Sequence, residues 1–158
     1  MEKKITAEDY RALSSFRHNI RGYIRFSEKA VRDAELEPRE YQLLLALKGL
    51  APKVRPRIVE LAEQLQIHHH SAVELVNRLE NKGLVKRERG KKDRCEVLVI
   101  ITPAGEATIG ELVSIHIAEV ATRGPVLLNA LQRVMDRKRS AQLTKKKWTI
   151  AHLTPLKE

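Results

Sequence analysis

The segment from Ile58 to Thr102 constrains the fold more than any other part of the chain. It begins with two stretches of helical periodicity, residues 58–66 and 69–82, in which apolar residues recur every three to four positions. Gly83 follows the second stretch, at the position where a left-handed residue commonly closes a helix. Two runs of β-branched and aliphatic residues come next, separated by the turn-forming sequence Gly90-Lys91-Lys92-Asp93. This order predicts a helix, a turn, a second helix and a two-stranded hairpin.

A helix-turn-helix followed by a basic hairpin is the arrangement of a winged helix, in which the second helix enters the major groove of DNA. Seven Lys and Arg residues lie between Lys82 and Arg94, against Glu88 and Asp93. The formal net charge of the chain is +10, but the eight basic and two acidic residues from Arg133 onward account for +6 of it. The basic patch of the hairpin therefore indicates a polyanionic partner more directly than the total charge does.

Amphipathic helices are predicted on both sides of this segment. Residues 6–31 and 38–47 precede it, and residues 103–122 and 126–139 follow it, with an interruption at Gly124-Pro125. A long helix at a chain end has little of its own domain to pack on, so pairing with a second subunit is expected. The predicted fold class is mainly α with a small β-hairpin (α+β): a winged helix-turn-helix with N- and C-terminal dimerisation helices.

The predicted domains follow from this pattern. Residues 1–35 and 103–140 would form a helical dimerisation region, residues 36–102 the winged DNA-binding lobe, and residues 141–158 a basic tail. The tail has no clear periodicity, which is compatible with disorder, and its lysines would add non-specific affinity for phosphate.

Composition narrows the class of protein further. Aromatic residues make up only 4% of the chain, so the core must be aliphatic and base stacking is a poor mechanism for binding nucleic acid. A single cysteine fits a reducing compartment. No run approaches 18 apolar residues, and the N-terminus lacks the apolar stretch of a signal peptide. These features predict a cytoplasmic protein with no membrane partner.

Four short elements carry a resemblance to a known family. They are Glu60-Leu61-Ala62, the run from Val76 to Val85, Asp93-Arg94, and Ile101-Thr102-Pro103-Ala104-Gly105. In this order they resemble the MarR family, the multiple antibiotic resistance regulators, over about residues 6–139. The resemblance implies a homodimeric transcriptional regulator, usually a repressor of a palindromic operator that is released by a small ligand or by oxidation.

The second helix of the motif is predicted to read DNA. Arg78 can donate to O6 and N7 of guanine or grip a phosphate, or it can form a structural ion pair with Glu74 four residues earlier. Glu74 would accept from a cytosine N4 or orient Arg78. His70 and Ser71 lie at the helix N-terminus, where free N–H groups reach phosphate or base edges. The candidate recognition residues are His69, His70, Ser71, Glu74 and Arg78.

The hairpin is predicted to be the wing, which follows the DNA backbone or enters the minor groove. The alternative is a solvated basic hairpin. The family pattern has Asp, any residue and Arg at the wing tip, whereas this chain has Asp93-Arg94-Cys95, so the usual Asp–Arg brace is in question. Arg94 or Arg89 would have to replace the missing arginine. The candidate wing residues are Arg87, Arg89, Lys91, Lys92 and Arg94.

Cys95 raises an alternative, a thiol-based redox-sensing regulator. The cations Lys91, Lys92 and Arg94 would favour the reactive thiolate, whereas Glu96 opposes it. The family's peroxide sensors also carry their cysteine in the first helix. An inert strand cysteine is the simpler interpretation.

No metal or cofactor is predicted. Consecutive helical residues point about 100° apart, so His68-His69-His70 cannot all bind one ion, and no further ligands stand at zinc spacing. The chain has no Gly-rich phosphate loop and no nucleophile motif, so an enzyme is not expected. The remaining alternative is a winged-helix module that binds protein instead of DNA.

A small-molecule effector would bind where the dimerisation helices meet the winged lobe. Each residue expected there could equally be ordinary core. The candidate pocket residues are Phe16, Ile20, Tyr23, Leu45 and His116.

Overall fold

The computed structural model describes residues 5–91 and 93–139, so the predicted tail at 141–158 lies outside the described residues. Within that part of the chain, the elements are five helices and one antiparallel hairpin, which confirms the predicted α+β winged fold. In chain order the elements are α1 (Ala7–Asp33), α2 (Pro38–Gly49), α3 (Ile58–Leu65), α4 (His69–Asn81), β1 (Val85–Arg89), β2 (Val97–Ile101) and α5 (Pro103–Arg139).

The core of the winged lobe is aliphatic, as the low aromatic content requires. α3 packs on α4, and both contact α2. Buried residues recur at helical spacing on α4, whereas on the hairpin Val85 and Val99 point inward from facing strands. The side chains that are at most 2% exposed include Leu43, Leu44, Leu61, Leu75, Val76, Leu79, Val85 and Val99.

Two left-handed residues shape the helix-turn-helix. Gln66, with φ 54°, ends α3, and the next amide, that of Ile67, donates to the carbonyl of Ala62. Gly83, with φ 71°, follows α4, and the amide of Leu84 donates to the carbonyl of Leu79. The prediction that Gly83 closes the second helix is therefore confirmed. These two turns set the directions in which α4 and β1 begin.

The predicted interruption at Gly124-Pro125 is wrong, because α5 is one helix with Pro125 inside it. Proline removes a single backbone donor, and the carbonyl that loses its partner is that of Ala121. Ala121 and Pro125 are both exposed, so water can bond that carbonyl and the helix continues.

The chain divides into two compact units, and the boundaries between them fall within α1 and within α5. One unit spans residues 22–123 and contains the winged lobe with the adjoining parts of both helices. The described part of the other unit consists of residues 5–21 and 124–139. None of the described helices combines the length and the apolar character that a membrane span requires.

Candidate nucleic-acid interface

The predicted recognition residues share the outward side of α4. His70, Glu74 and Arg78 follow one another at four-residue intervals and are all exposed, so they form one row along the helix. His69 is exposed beside this row, and Ser71 is half-buried. The opposite side of α4 is buried through Leu75, Val76 and Leu79. The structure therefore brings these side chains together on a surface that the core leaves open.

Arg78 lacks the ion pair that was its alternative role. Among the described residues no carboxylate oxygen lies within 4 Å of its guanidinium, that of Glu74 included. Its charge acts on Glu40 only at longer range, where it helps to lower the pKa of that carboxyl. The guanidinium is therefore available to an external acceptor.

The N-terminus of α4 is open to an anion. Its N-cap residue, His68, has an extended backbone and makes no side-chain capping hydrogen bond, so no capping side chain occupies the first amides of the helix. The rings of His68 and His70 stack, with centroids 5.5 Å apart. In the part of the chain that the structure describes, no three His, Cys, Asp or Glu residues are grouped as a metal site would need.

The predicted wing cations separate into two kinds. Arg89, Lys91 and Arg94 are exposed, with one weak contact from Nη1 of Arg89 to the carbonyl of Arg94 at 3.3 Å. Arg87 is instead turned toward α4, where it bonds Glu80 and Asn77. Lys92 lies outside the described residues. The structure therefore leaves three of the five predicted cations exposed on the wing.

Asp93 holds the wing tip by accepting hydrogen bonds from two backbone amides. Its Oδ1 accepts from the amide of Cys95 at 2.9 Å, and its carbonyl accepts from the amide of Glu96 at 3.2 Å. The carboxylate thus closes a tight turn of the Asx type. Among the described residues Asp93 has no arginine within salt-bridge distance, and its carboxylate bonds a backbone amide instead. Cys95 itself is exposed.

Two arginines beside the wing were not predicted. The amide of Val99 donates to the carbonyl of Pro56 at 2.8 Å, which places the connector before α3 along β2. Nη1 of Arg55 lies 2.7 Å from Oε2 of Glu96, without hydrogen-bond alignment, and Nε of Arg57 lies 3.9 Å from Oε1. The basic connector was the available signal, but its position beside the wing depends on tertiary packing.

Arg57 also bonds Glu60 at the start of α3. The hydrogen bond and the charge of Glu60 raise the pKa of Arg57. Burial raises the pKa of Glu60, but the bonds from Arg57 and from its own backbone lower the pKa by a larger amount, so the net shift is downward. These ion pairs therefore fix the connector beside the end of β2 that lies next to the wing tip.

The C-terminal end of α4 is tied to α2 by Lys82. Its Nζ donates to Oε2 of Glu40 and to the carbonyl of Glu35, both at 2.8 Å. Burial raises the pKa of Glu40, but bonds from the Glu37 amide and from Lys82 and the charges of Lys82 and Arg78 lower it more. The result is an ionised carboxylate that is 1% exposed and anchors the recognition helix.

Of the predicted pocket residues, Tyr23 and His116 lie together. The buried His116 ring stacks on Tyr41 at a centroid distance of 4.8 Å, and Tyr23 and Phe26 meet it edge-on. Its nitrogens face the carbonyl of Leu112 and the hydroxyl of Ser27 at 2.6 and 2.7 Å.

The other three predicted pocket residues are Phe16, Ile20 and Leu45. Leu45 is 42% exposed on α2. Phe16 and Ile20 belong to the unit that contains residues 5–21.

Comparisons with known proteins give one consistent result. Residues 35–94 match the model of the MarR family. The HTH-type transcriptional regulator YkoM of Bacillus subtilis (strain 168) is 24% identical over 114 residues, which cover 70% of this chain and 72% of that protein. Among solved structures, AbsC, a MarR family transcriptional regulator from Streptomyces coelicolor, aligns with a TM-score of 0.64 at 22% identity, covering 88% of this chain and 99% of AbsC.

A further solved structure carries a ligand. CouR from Rhodococcus jostii RHA1, bound to p-coumaroyl-CoA, aligns with a TM-score of 0.55 at 22% identity, covering 77% of this chain and 85% of CouR. At these identities the structural likeness shows the winged fold, which extends over most of the chain.

Proposed function

From the match of residues 35–94 to the model of the MarR family, we propose that this chain is a regulator of that family, a homodimeric repressor that binds a palindromic operator and is released by a small ligand. The observation that carries the proposal is the outward row of α4, in which Arg78 has no salt-bridge partner among the described residues. An arginine in this position can donate two parallel hydrogen bonds to a guanine or a phosphate. The same row supplies His70 and Glu74 as further contacts to bases or phosphates.

The wing supports the proposal electrostatically. The exposed cations Arg89, Lys91 and Arg94 lie on one hairpin, and Arg55 lies beside it on the connector. Phosphate neutralisation by such cations would supply affinity that is independent of sequence and sensitive to salt. The wing would therefore hold the DNA backbone while α4 reads the bases.

Exposed apolar side chains support a dimer. In the unit of residues 22–123, Ile117 and Val120 on α5 are 64% and 50% exposed. In the other unit, Leu13 on α1 and Leu128 on α5 are about half exposed. Exposed apolar side chains on terminal helices are typical of an interface between subunits. A two-fold dimer would present two α4 helices to half-sites about 34 Å apart, which is why the operator would be palindromic.

The ring cluster around His116 supports control by a ligand. It connects the last turns of α1, through Ser27, with α2 and α5. A ligand that inserted there would shift these helices and with them the spacing of the two recognition helices. CouR, which shares the fold, is bound to p-coumaroyl-CoA. Release would require that the ligand bind more tightly to the conformation whose recognition helices do not fit the operator than to the conformation that binds DNA.

The first experiment is a fluorescence-anisotropy titration of the full chain with reduced glutathione present, so that the thiol of Cys95 stays reduced. The duplexes are the DNA upstream of its own gene and a scrambled sequence of equal composition, each at 50 and 200 mM salt. We expect a preference of roughly 10³-fold or more for the upstream DNA. Equal, steeply salt-dependent binding to both duplexes would contradict sequence-specific regulation. An absence of DNA binding at either salt would instead favour the protein-interaction module.

The dimer is tested separately by sedimentation velocity. We expect the chain to sediment as a dimer, and Ile117→Asp to shift it toward the monomer because a charge would be placed on exposed apolar surface of α5. Thr122→Asp is the matched control: Thr122 is exposed on the same helix about 140° around the axis from Ile117, and its hydroxyl bonds the carbonyl of Ala118. A monomeric unaltered chain at micromolar concentration would overturn the dimer.

A further inference from the structure

Arg87 is the one predicted wing cation, among those described, that makes a network of bonds to the recognition helix. Its amide donates to Oε1 of Glu80 at 3.0 Å, and Nη1 of its guanidinium bonds Oε2 of the same carboxylate. Nη2 donates to Oδ1 of Asn77 at 2.7 Å. The side chain is 25% exposed, compared with 38% for that of Glu80. The main chain and the side chain of Arg87 thus bind two residues of α4, Glu80 and Asn77.

The position of these bonds along β1 is informative. Side chains alternate across a strand, so Val85, Arg87 and Arg89 lie on one face. Val85 is buried in the core and fixes the root of the strand, whereas Arg89 is exposed toward the tip. Arg87 stands between them, about 7 Å before Arg89. Any rotation of the hairpin about its root is therefore opposed by the Glu80–Arg87–Asn77 bonds.

Resting on the DNA-binding function proposed above, we infer that Arg87 is a positioning residue, which fixes the wing relative to the recognition helix through Glu80 and Asn77 and is not itself a phosphate ligand. The wing cations beyond it then meet the DNA backbone in the register that α4 sets. Without these bonds the hairpin would sample several directions, and ordering it on DNA would cost conformational entropy.

The two roles predict opposite effects for one substitution. Glu80 is acidic and near the proposed DNA surface, so if it has only an electrostatic effect, Glu80→Ala removes a repulsive charge and strengthens operator binding. If Glu80 holds the wing through Arg87, Glu80→Ala weakens operator binding despite the loss of negative charge. We expect a loss of roughly three- to tenfold, as the removal of a charge-assisted hydrogen bond gives.

Glu88→Ala is the matched control for charge. Glu88 is on the same strand, one residue from Arg87 on the opposite face, and its one salt bridge among the described residues is with Lys86 at the surface. Its removal changes the net charge equally, so we expect unchanged or slightly tighter binding.

A double-mutant cycle completes the experiment, with anisotropy at fixed salt on the operator duplex. We expect Arg87→Ala to weaken binding in the unaltered chain and to have little further effect in the Glu80→Ala background. A phosphate ligand would cost the same in both backgrounds. Glu80→Gln keeps an acceptor for the Arg87 amide, so its operator affinity should lie between those of Glu80→Ala and the unaltered chain. It replaces Glu80→Ala in the cycle if that variant does not fold.

The outcomes separate the inference from the function on which it rests. Tighter binding by Glu80→Ala, or an Arg87→Ala cost that is equal in both backgrounds, would overturn the positioning role and leave the DNA-binding function intact. If the unaltered chain showed no preference for any operator duplex, the proposed function would fail and the inference with it.

Discussion

Gly105 packs against the carbonyl oxygen of Leu84 with no space for a side chain between them. A β-carbon added to Gly105 would overlap that oxygen and would also lie 2.7 Å from Cγ1 of Ile101. Thr102 reinforces the junction: its hydroxyl donates to the carbonyl of Gly83 at 2.6 Å and accepts from the amide of Gly105 at 3.1 Å. The first turn of α5 is thereby fixed directly onto the root of the wing.

This contact predicts that Gly105→Ala destabilises the protein. The new methyl group would meet backbone, which cannot rotate away, so we expect a loss of about 1–3 kcal/mol or more in the free energy of unfolding. Urea denaturation followed by circular dichroism measures it. Gly110→Ala is the control, because Gly110 is on the same helix with nothing within 4 Å of an added β-carbon. It should stabilise the helix by about 0.5–1 kcal/mol. Equal effects of the two substitutions would contradict the close approach.

Glu40 predicts a dependence of stability on pH. Its pKa in the folded chain lies below its ordinary value of 4.5, because bonds from the Glu37 amide and Lys82 outweigh the upward effect of burial. A lowered folded pKa gives stability that is present above about pH 4.5 and lost as the pH falls through the folded value. We therefore expect Glu40→Gln to be destabilising at pH 7, with a difference from the unaltered chain that shrinks toward pH 3. Urea midpoints at both pH values test this, with the exposed Glu111→Gln as control. A pH-independent difference would show that the ionised state of Glu40 contributes nothing.

The sequence predicts those parts of the fold that rest on local chemistry. Gly83 and Thr102-Pro103 mark helix ends through backbone conformation and capping, and these signals do not depend on distant residues. The continuity of α5 through Pro125 could not be predicted, because it depends on the exposure of a single carbonyl. The same limit applies to the site: exposed cations of the wing follow from composition, whereas the inward direction of Arg87 depends on where Glu80 lies after folding.

Arg78 and Arg89 are expected to affect DNA binding differently. We predict that Arg78→Ala weakens binding to the operator by about 1–3 kcal/mol and reduces the preference over scrambled DNA, since a base contact would be lost. Arg89→Ala should weaken binding to both duplexes alike and lower the slope of log affinity against log salt by about 0.9, as the loss of one phosphate contact does. Anisotropy over a series of salt concentrations measures both quantities.

The control for these two variants is Arg25→Ala, which removes an exposed arginine of α1 with no salt-bridge partner within 4 Å among the described residues. It should leave both affinity and preference unchanged. If Arg78→Ala kept the full preference for the operator, base reading by this residue would be excluded, and a uniform loss on both duplexes would reassign it to a phosphate.

Cys95 distinguishes release by a ligand from release by oxidation. Cys95 is exposed at the wing tip, and its backbone amide donates to the carboxylate of Asp93. We expect hydrogen peroxide at moderate excess to leave operator affinity unchanged, because the proposed regulator is released by a ligand. Alkylation with N-ethylmaleimide should weaken binding, because the adduct adds bulk where the wing meets DNA. Cys95→Ser should bind like the unaltered chain and should be insensitive to the maleimide. Anisotropy measures operator affinity before and after each treatment, and mass spectrometry establishes which modification Cys95 carries. Reversible loss of binding in peroxide that Cys95→Ser abolishes would overturn this expectation and favour the thiol-based regulator.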